Sequence, residues 1–174
     1  MCSGQPLAIT QALRDLDAWV AFFLAAPIPV LADTADALEA MRANEDAVDA
    51  HLLAQSIADD PLMSLKLLAH VAGLRTPRST TDPETVTAAL VLLGISPFFR
   101  AFGPQPSVDE HLAGHPGALQ GLNEVLARAH RGAAFALAFA VHRMDQDAPI
   151  LHAAALLHDF AEMLLWLHAP ALAE

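Results

Sequence analysis

Three features of the sequence predict an all-α fold. Alanine supplies about a fifth of the residues and leucine is plentiful, both strong helix formers, while tyrosine is absent. β-branched residues are scattered, and no stretch alternates apolar and polar side chains for long, so strands have little support. Helix start and stop signals recur along the whole chain.

Ile9 to Ala26 places Leu13, Leu16, Val20, Phe23 and Leu24 on a helical stripe, ended by Pro27 and Pro29. A second helix covers Asp33–Ala43 with Leu38 and Met41 facing in. A third covers Asp46–Ala58, where His51, Leu52 and Ile57 recur at helical spacing. Asp60-Pro61 opens a fourth, since Asp is a good N-cap and proline at the first position loses no needed donor. It carries Leu62, Leu65, Leu68 and Val71 and ends near Gly73. Arg75 to Asp82 reads as a loop. Asp82-Pro83 starts the next helix, which runs to Leu93 and stops at Gly94. Ser96-Pro97 then caps a short helix holding Phe98, Phe99 and Phe102, and Gly103 to Pro106 is another loop. Pro116 to Met144 is alanine-rich and makes one helix or two. Asp145 to Asp147 breaks it, and a last helix runs from Ala148 to about His168.

With 174 residues and no repeat or linker, a single helical domain over 1–174 is the economical reading. The 55% hydrophobic content excludes a disordered chain. Nine basic against 20 acidic residues leave a net charge of −11, which excludes non-specific nucleic-acid binding. The longest uncharged runs, Trp19 to Ala32 and Val86 to Phe99, contain proline and fall short of the roughly 18 residues a spanning helix needs. No basic segment precedes an apolar one at the start, so neither a signal peptide nor a membrane is expected. Cys2, the only cysteine, allows no intrachain disulfide and no cysteine-based zinc site, and the cytoplasm is the natural compartment.

Nine histidines are the unusual feature. His51, His70 and His142 sit beside apolar residues, where a lone histidine is usually a hydrogen-bonded or half-exposed neighbour. His111 and His115 flank Gly114 in an expected loop and face water. Abundance alone does not make a haem pocket. His158-Asp159 differs because it follows Ala153-Ala154-Ala155-Leu156-Leu157, a setting where polar side chains are costly unless paired. Neighbours about 100° apart on a helix can converge on one ion at its edge. His130, on the preceding long helix, could supply a third ligand, leaving positions open for water.

The chain resembles the HDOD domain, a bacterial signalling module related to the HD-type metal phosphohydrolases. The resemblance runs from about Trp19 to 170. It rests on Ile28-Pro29-Val30-Leu31, on Asp59-Asp60-Pro61 with the leucine-rich helix after it, on Ala88 to Gly94, and on Ala153 to Asp159. It implies an HD-like orthogonal helical bundle, here C-terminally shortened, because the family usually continues for several more helices. The run Met163-Leu164-Leu165-Trp166-Leu167 is apolar almost all round. It either packs on the N-terminal helices, forms a homodimer contact, or belongs to a longer chain.

Active HD hydrolases use a first histidine, the His-Asp pair and a later aspartate. His130, His158 and Asp159 match the first three, but no aspartate follows Asp159. Ala161 and Glu162 replace the family's glycine and lysine. Glu162, four residues after His158, is the one geometric substitute. The expected function is a non-catalytic signal-transduction domain acting through protein partners, with a vestigial His130, His158 and Asp159 site. No catalytic residue, metal or cofactor is expected, and binding residues are unassigned. The rival is a metal-dependent phosphohydrolase of a nucleotide or cyclic dinucleotide, with those three as ligands and metal-bound hydroxide as nucleophile.

Overall fold

A computed structural model describes residues 9–74 and 83–173. They form helices α1 (Leu16–Ala25), α2 (Ala32–Arg42), α3 (Ala50–Ile57), α4 (Pro61–Gly73), α5 (Val86–Leu93), α6 (Ile95–Ala101), α7 (Val108–His111), α8 (Pro116–His142), α9 (Ala148–Leu156), α10 (Phe160–His168) and α11 (Pro170–Ala173). A 3-10 turn, Glu45–Ala47, precedes α3. The all-α expectation holds: among the described residues the one β-type contact is an isolated bridge between Val30 and Ser107.

Two apolar clusters make the core. One gathers Leu53, Ile57, Met63, Leu67, Leu90 and Phe98 from α3 to α6. The other gathers Leu62, Leu122, Val125, Leu156, Met163 and Leu167 from α4, α8, α9 and α10. Helix α4 feeds both, because its opposite faces point into different clusters. Asp60 organises the joint. Its buried carboxylate accepts from the N–H groups of Leu62 and Met63 at 2.9 Å, capping α4, and from Leu31 N–H at 2.8 Å, fixing the start of α2. Lys66 donates to the Ile28 carbonyl at 2.8 Å and to Gln105. Its half-buried ammonium titrates below the usual lysine range, burial outweighing the attraction of Asp60. Val30 N–H donates to Pro106 O and Val108 N–H to Val30 O, so the Ile28–Leu31 turn is held from two sides.

Several boundaries differ from expectation. Helix α1 begins at Leu16 because Asp15 accepts from Ala18 N–H at 2.8 Å, while Ile9 N–H is engaged by His168 O. Its inward face is Trp19, Phe22 and Phe23: Trp19 stacks on Phe23, Phe22 meets Phe23 edge-on, and both phenylalanines contact the His168 ring; Leu16, Val20 and Leu24 face solvent. Helix α3 starts late, at an Asp49 cap, and turns His51 and Leu52 outward. Helix α5 starts at Val86, since extended Thr85 caps it through Ala88 N–H, so Pro83 lies outside the helix. The expected loop Arg75 to Asp82 and residue Cys2 lie outside the described residues. Helix α6 is led by Gly94, not by Ser96; a φ of +85° there lets the chain turn directly from α5 into α6. Residues 116–142 form one helix.

His111 also departs from expectation. It lies in α7, half-buried, and its Nε2 donates to Leu167 O at 3.1 Å. His115 is exposed, as expected, and His70 packs edge-on to Phe102. One reading packed the apolar run 163–167 on the N-terminal helices; its buried members lie instead mainly on α8 and α4, in a cluster that Phe23, Ile28 and Leu31 border. Met163, Leu164 and Leu167 are buried against α8 and α4, and His168 beyond them meets α1.

Candidate functional site

The expected helix from Ala148 to His168 is two helices. The stretch is long and apolar enough to cross a membrane by composition, yet Leu157, His158 and Asp159 form a turn that divides it. His158 N–H bonds back to Ala155 O at 3.4 Å and Phe160 N–H to Leu157 O at 3.1 Å, the tight i to i+3 pattern of a helix terminus. No glycine or proline marks this break, so local sequence did not announce it. His158 and Asp159 therefore sit at a corner between α9 and α10, not on the edge of one continuous helix.

At that corner the imidazole is turned to its neighbour. His158 Nδ1 donates to Asp159 Oδ1 at 2.8 Å, and its ring is 82% exposed. The other Asp159 oxygen accepts from Arg128 Nε at 2.9 Å. Arg128 also reaches Glu162 through Nη2. One guanidinium from α8 thus joins the corner and the first turn of α10. The bond from Arg128, and then that from His158, hold the Asp159 carboxyl below the usual aspartate range. The bond to Asp159 in turn holds Arg128 protonated above the ordinary guanidinium range.

His130 takes no part in this cluster. Its Nε2 lies 2.7 Å from the carbonyl oxygen of Asp59. A carbonyl only accepts, so that nitrogen carries the proton and offers no lone pair there. The bond ties α8 to the turn between α3 and α4. His158, Asp159 and Glu162 are thus gathered around Arg128, and His130 is engaged elsewhere, at the Asp59 carbonyl. Among the described residues no group of three or more histidine, cysteine, aspartate or glutamate side chains is placed to hold a metal ion. The residues present do not fit the ion that HD hydrolases carry.

Arg128 is the member of the site that sequence reading missed. A cue was present: Asp159 and Glu162, three residues apart, share one helix face, and such a pair calls for a cation. The neighbouring cleft, between α3–α4, the start of α5 and α9, encloses about 110 Å³ and is lined by Ser64, Thr85, His152, Leu156 and Leu157 among others. Ligand pockets generally begin at about 300 Å³. The Ser64 hydroxyl is committed to Ile57 O at 3.1 Å.

A family model, that of the HDOD domain, matches residues 28–174. The match opens at the Ile28-Pro29 turn and includes the Asp60-Pro61 helix and the His158-Asp159 corner. No curated protein matches the chain, and no solved structure does.

Proposed function

The chain belongs to the HDOD domain family, a signalling-associated domain, and from that premise we propose that it is a non-catalytic regulatory domain of bacterial signal transduction. On this reading it works in the cytoplasm by presenting helical surfaces to protein partners, and the His158-Asp159 corner is structural. The observation that carries the reading is the orientation of the candidate ligands. His130 Nε2 is bound to the Asp59 carbonyl, Asp159 has both oxygens engaged by side chains, and among the described residues no three histidine, cysteine, aspartate or glutamate side chains gather at one point. Water activation by a metal needs ligand lone pairs aimed at one point with a position left open. The exposed apolar side chains of α8, Phe135, Phe139 and Val141, add support, because such surface commonly serves as a contact.

The test is hydrolysis. Purified protein is incubated with cyclic dinucleotides and nucleoside phosphates in the presence of Mn²⁺ or Fe²⁺, beside the His158→Ala variant. The expected result is no turnover above buffer. Turnover by the wild-type chain that disappears in His158→Ala overturns the reading and establishes the phosphohydrolase in its place.

A further inference from the structure

The cluster at the α9–α10 corner contains two carboxylates and one cation, and the cation is part of the chain. Arg128 lies two residues before His130 on α8, but its side chain takes the opposite task. It bridges Asp159 at 2.9 Å and Glu162, while His158 closes the remaining Asp159 oxygen at 2.8 Å. Nε and Nη2 belong to one rigid, planar group, so the two carboxylates are drawn to adjacent points. A divalent ion accepted by these oxygens would have to sit within a few ångströms of the guanidinium, against its charge and in place of its hydrogen bonds.

We propose that Arg128 is the resident cation of the histidine–aspartate corner. It supplies from α8 the positive charge and the cross-link that a bound ion would supply, and thereby closes the site to divalent metals. The corner explains why the arrangement is needed. It has neither glycine nor proline to enforce it, and it brings Asp159 and Glu162 together at the start of α10. Without a cation the two carboxylates repel each other three residues apart. With Arg128 in place they become the points by which α8 holds the turn. Arg128 is a positioning residue in this account.

The inference stands apart from the regulatory reading, and the two fail differently. Turnover sinks that reading; metal loading of the wild-type chain without turnover sinks only this one. The probe is Mn²⁺ alone, an ion suited to carboxylate oxygens, followed by electron paramagnetic resonance and by the shift it causes in thermal melting. Wild-type protein is expected to show no saturable Mn²⁺ site and no melting shift. Arg128→Met keeps the apolar stem and removes the charge; it is expected to melt lower than wild type and to acquire a saturable Mn²⁺ site that wild type lacks, with added Mn²⁺ restoring part of the loss. Arg128→Gln gives the same readout if the methionine variant does not fold. Adding Asp159→Asn to either variant should abolish the gain. Stoichiometric Mn²⁺ on the wild-type chain, lost in Asp159→Asn, overturns the proposal. So does a folded Arg128 variant that melts like wild type and takes up no more Mn²⁺.

Discussion

His168 shows how one side chain can carry a pH dependence for the whole fold. It is 2% exposed, lies between Phe22, Phe23 and His111, and its Nε2 has no partner among the described residues. Burial first, then the nearby His111, lower its pKa from 6.5 to about 4, against a smaller raising effect of the Pro27 carbonyl. Between those values the unfolded chain binds more protons than the folded one. Stability is therefore complete above the unfolded value and declines as pH falls from 6.5 towards about 4. His168→Phe keeps a flat ring against Phe22 and Phe23 and should flatten this limb. Urea midpoints measured across the window check it; equal slopes in variant and wild type would refute the assignment. Asp60 is the opposite case, a buried acid with three N–H partners, whose sequence signature was readable as a helix cap. Its third bond, to Leu31 across 29 positions of sequence, was not.

Between elements, α8 and α10 meet at Gly121 and Trp166. A Cβ built on Gly121 overlaps the ring of Trp166, so the glycine is there for room, not for an unusual backbone angle. Gly121→Ala should cost about 1–3 kcal/mol by forcing the indole or the helix to move. Trp166→Leu makes space, and the double variant should be destabilised by less than the two single losses added together. Chemical denaturation of the four proteins checks this; strict additivity would mean that the two residues do not share the contact. Composition and stop signals marked 116–144 and 148–168 as helical. They could not show that α8 and α10 touch at Gly121, because helix pairing depends on residues 45 positions apart.

The whole molecule has two cores joined by α4, with Leu62 in one and Met63, Leu67 and Val71 in the other. Neither cluster can lose α4 without exposing the other, so a single cooperative transition is expected. Both tryptophans report on one side of the molecule. Trp166 packs on the α8–α10 cluster, and Trp19 stacks on Phe23, which borders it. Far-UV circular dichroism reports all helices. Thermal curves from the two signals should coincide; separated midpoints would show that the clusters unfold independently. The α1 face presents the same lesson at this scale. Of the stripe read in sequence, Leu16, Val20 and Leu24 face solvent and Phe23 alone of these four packs inward, joining Phe22 against His168 of α10, with Trp19 stacked on it.

Helix content and the Asp60-Pro61 start were determined by sequence alone, because propensity, capping and short-range spacing act within a few residues, whereas the continuity of α8 from Pro116 to His142 was left open by the sequence. Kinship with the HDOD domain was legible in several short segments in their proper order. The corner at His158-Asp159, the burial of His168 and the choice of Arg128 as partner of Asp159 were decided only by tertiary structure. Each arises from groups distant in the chain, whose charge or burial outweighs a local preference for continued helix.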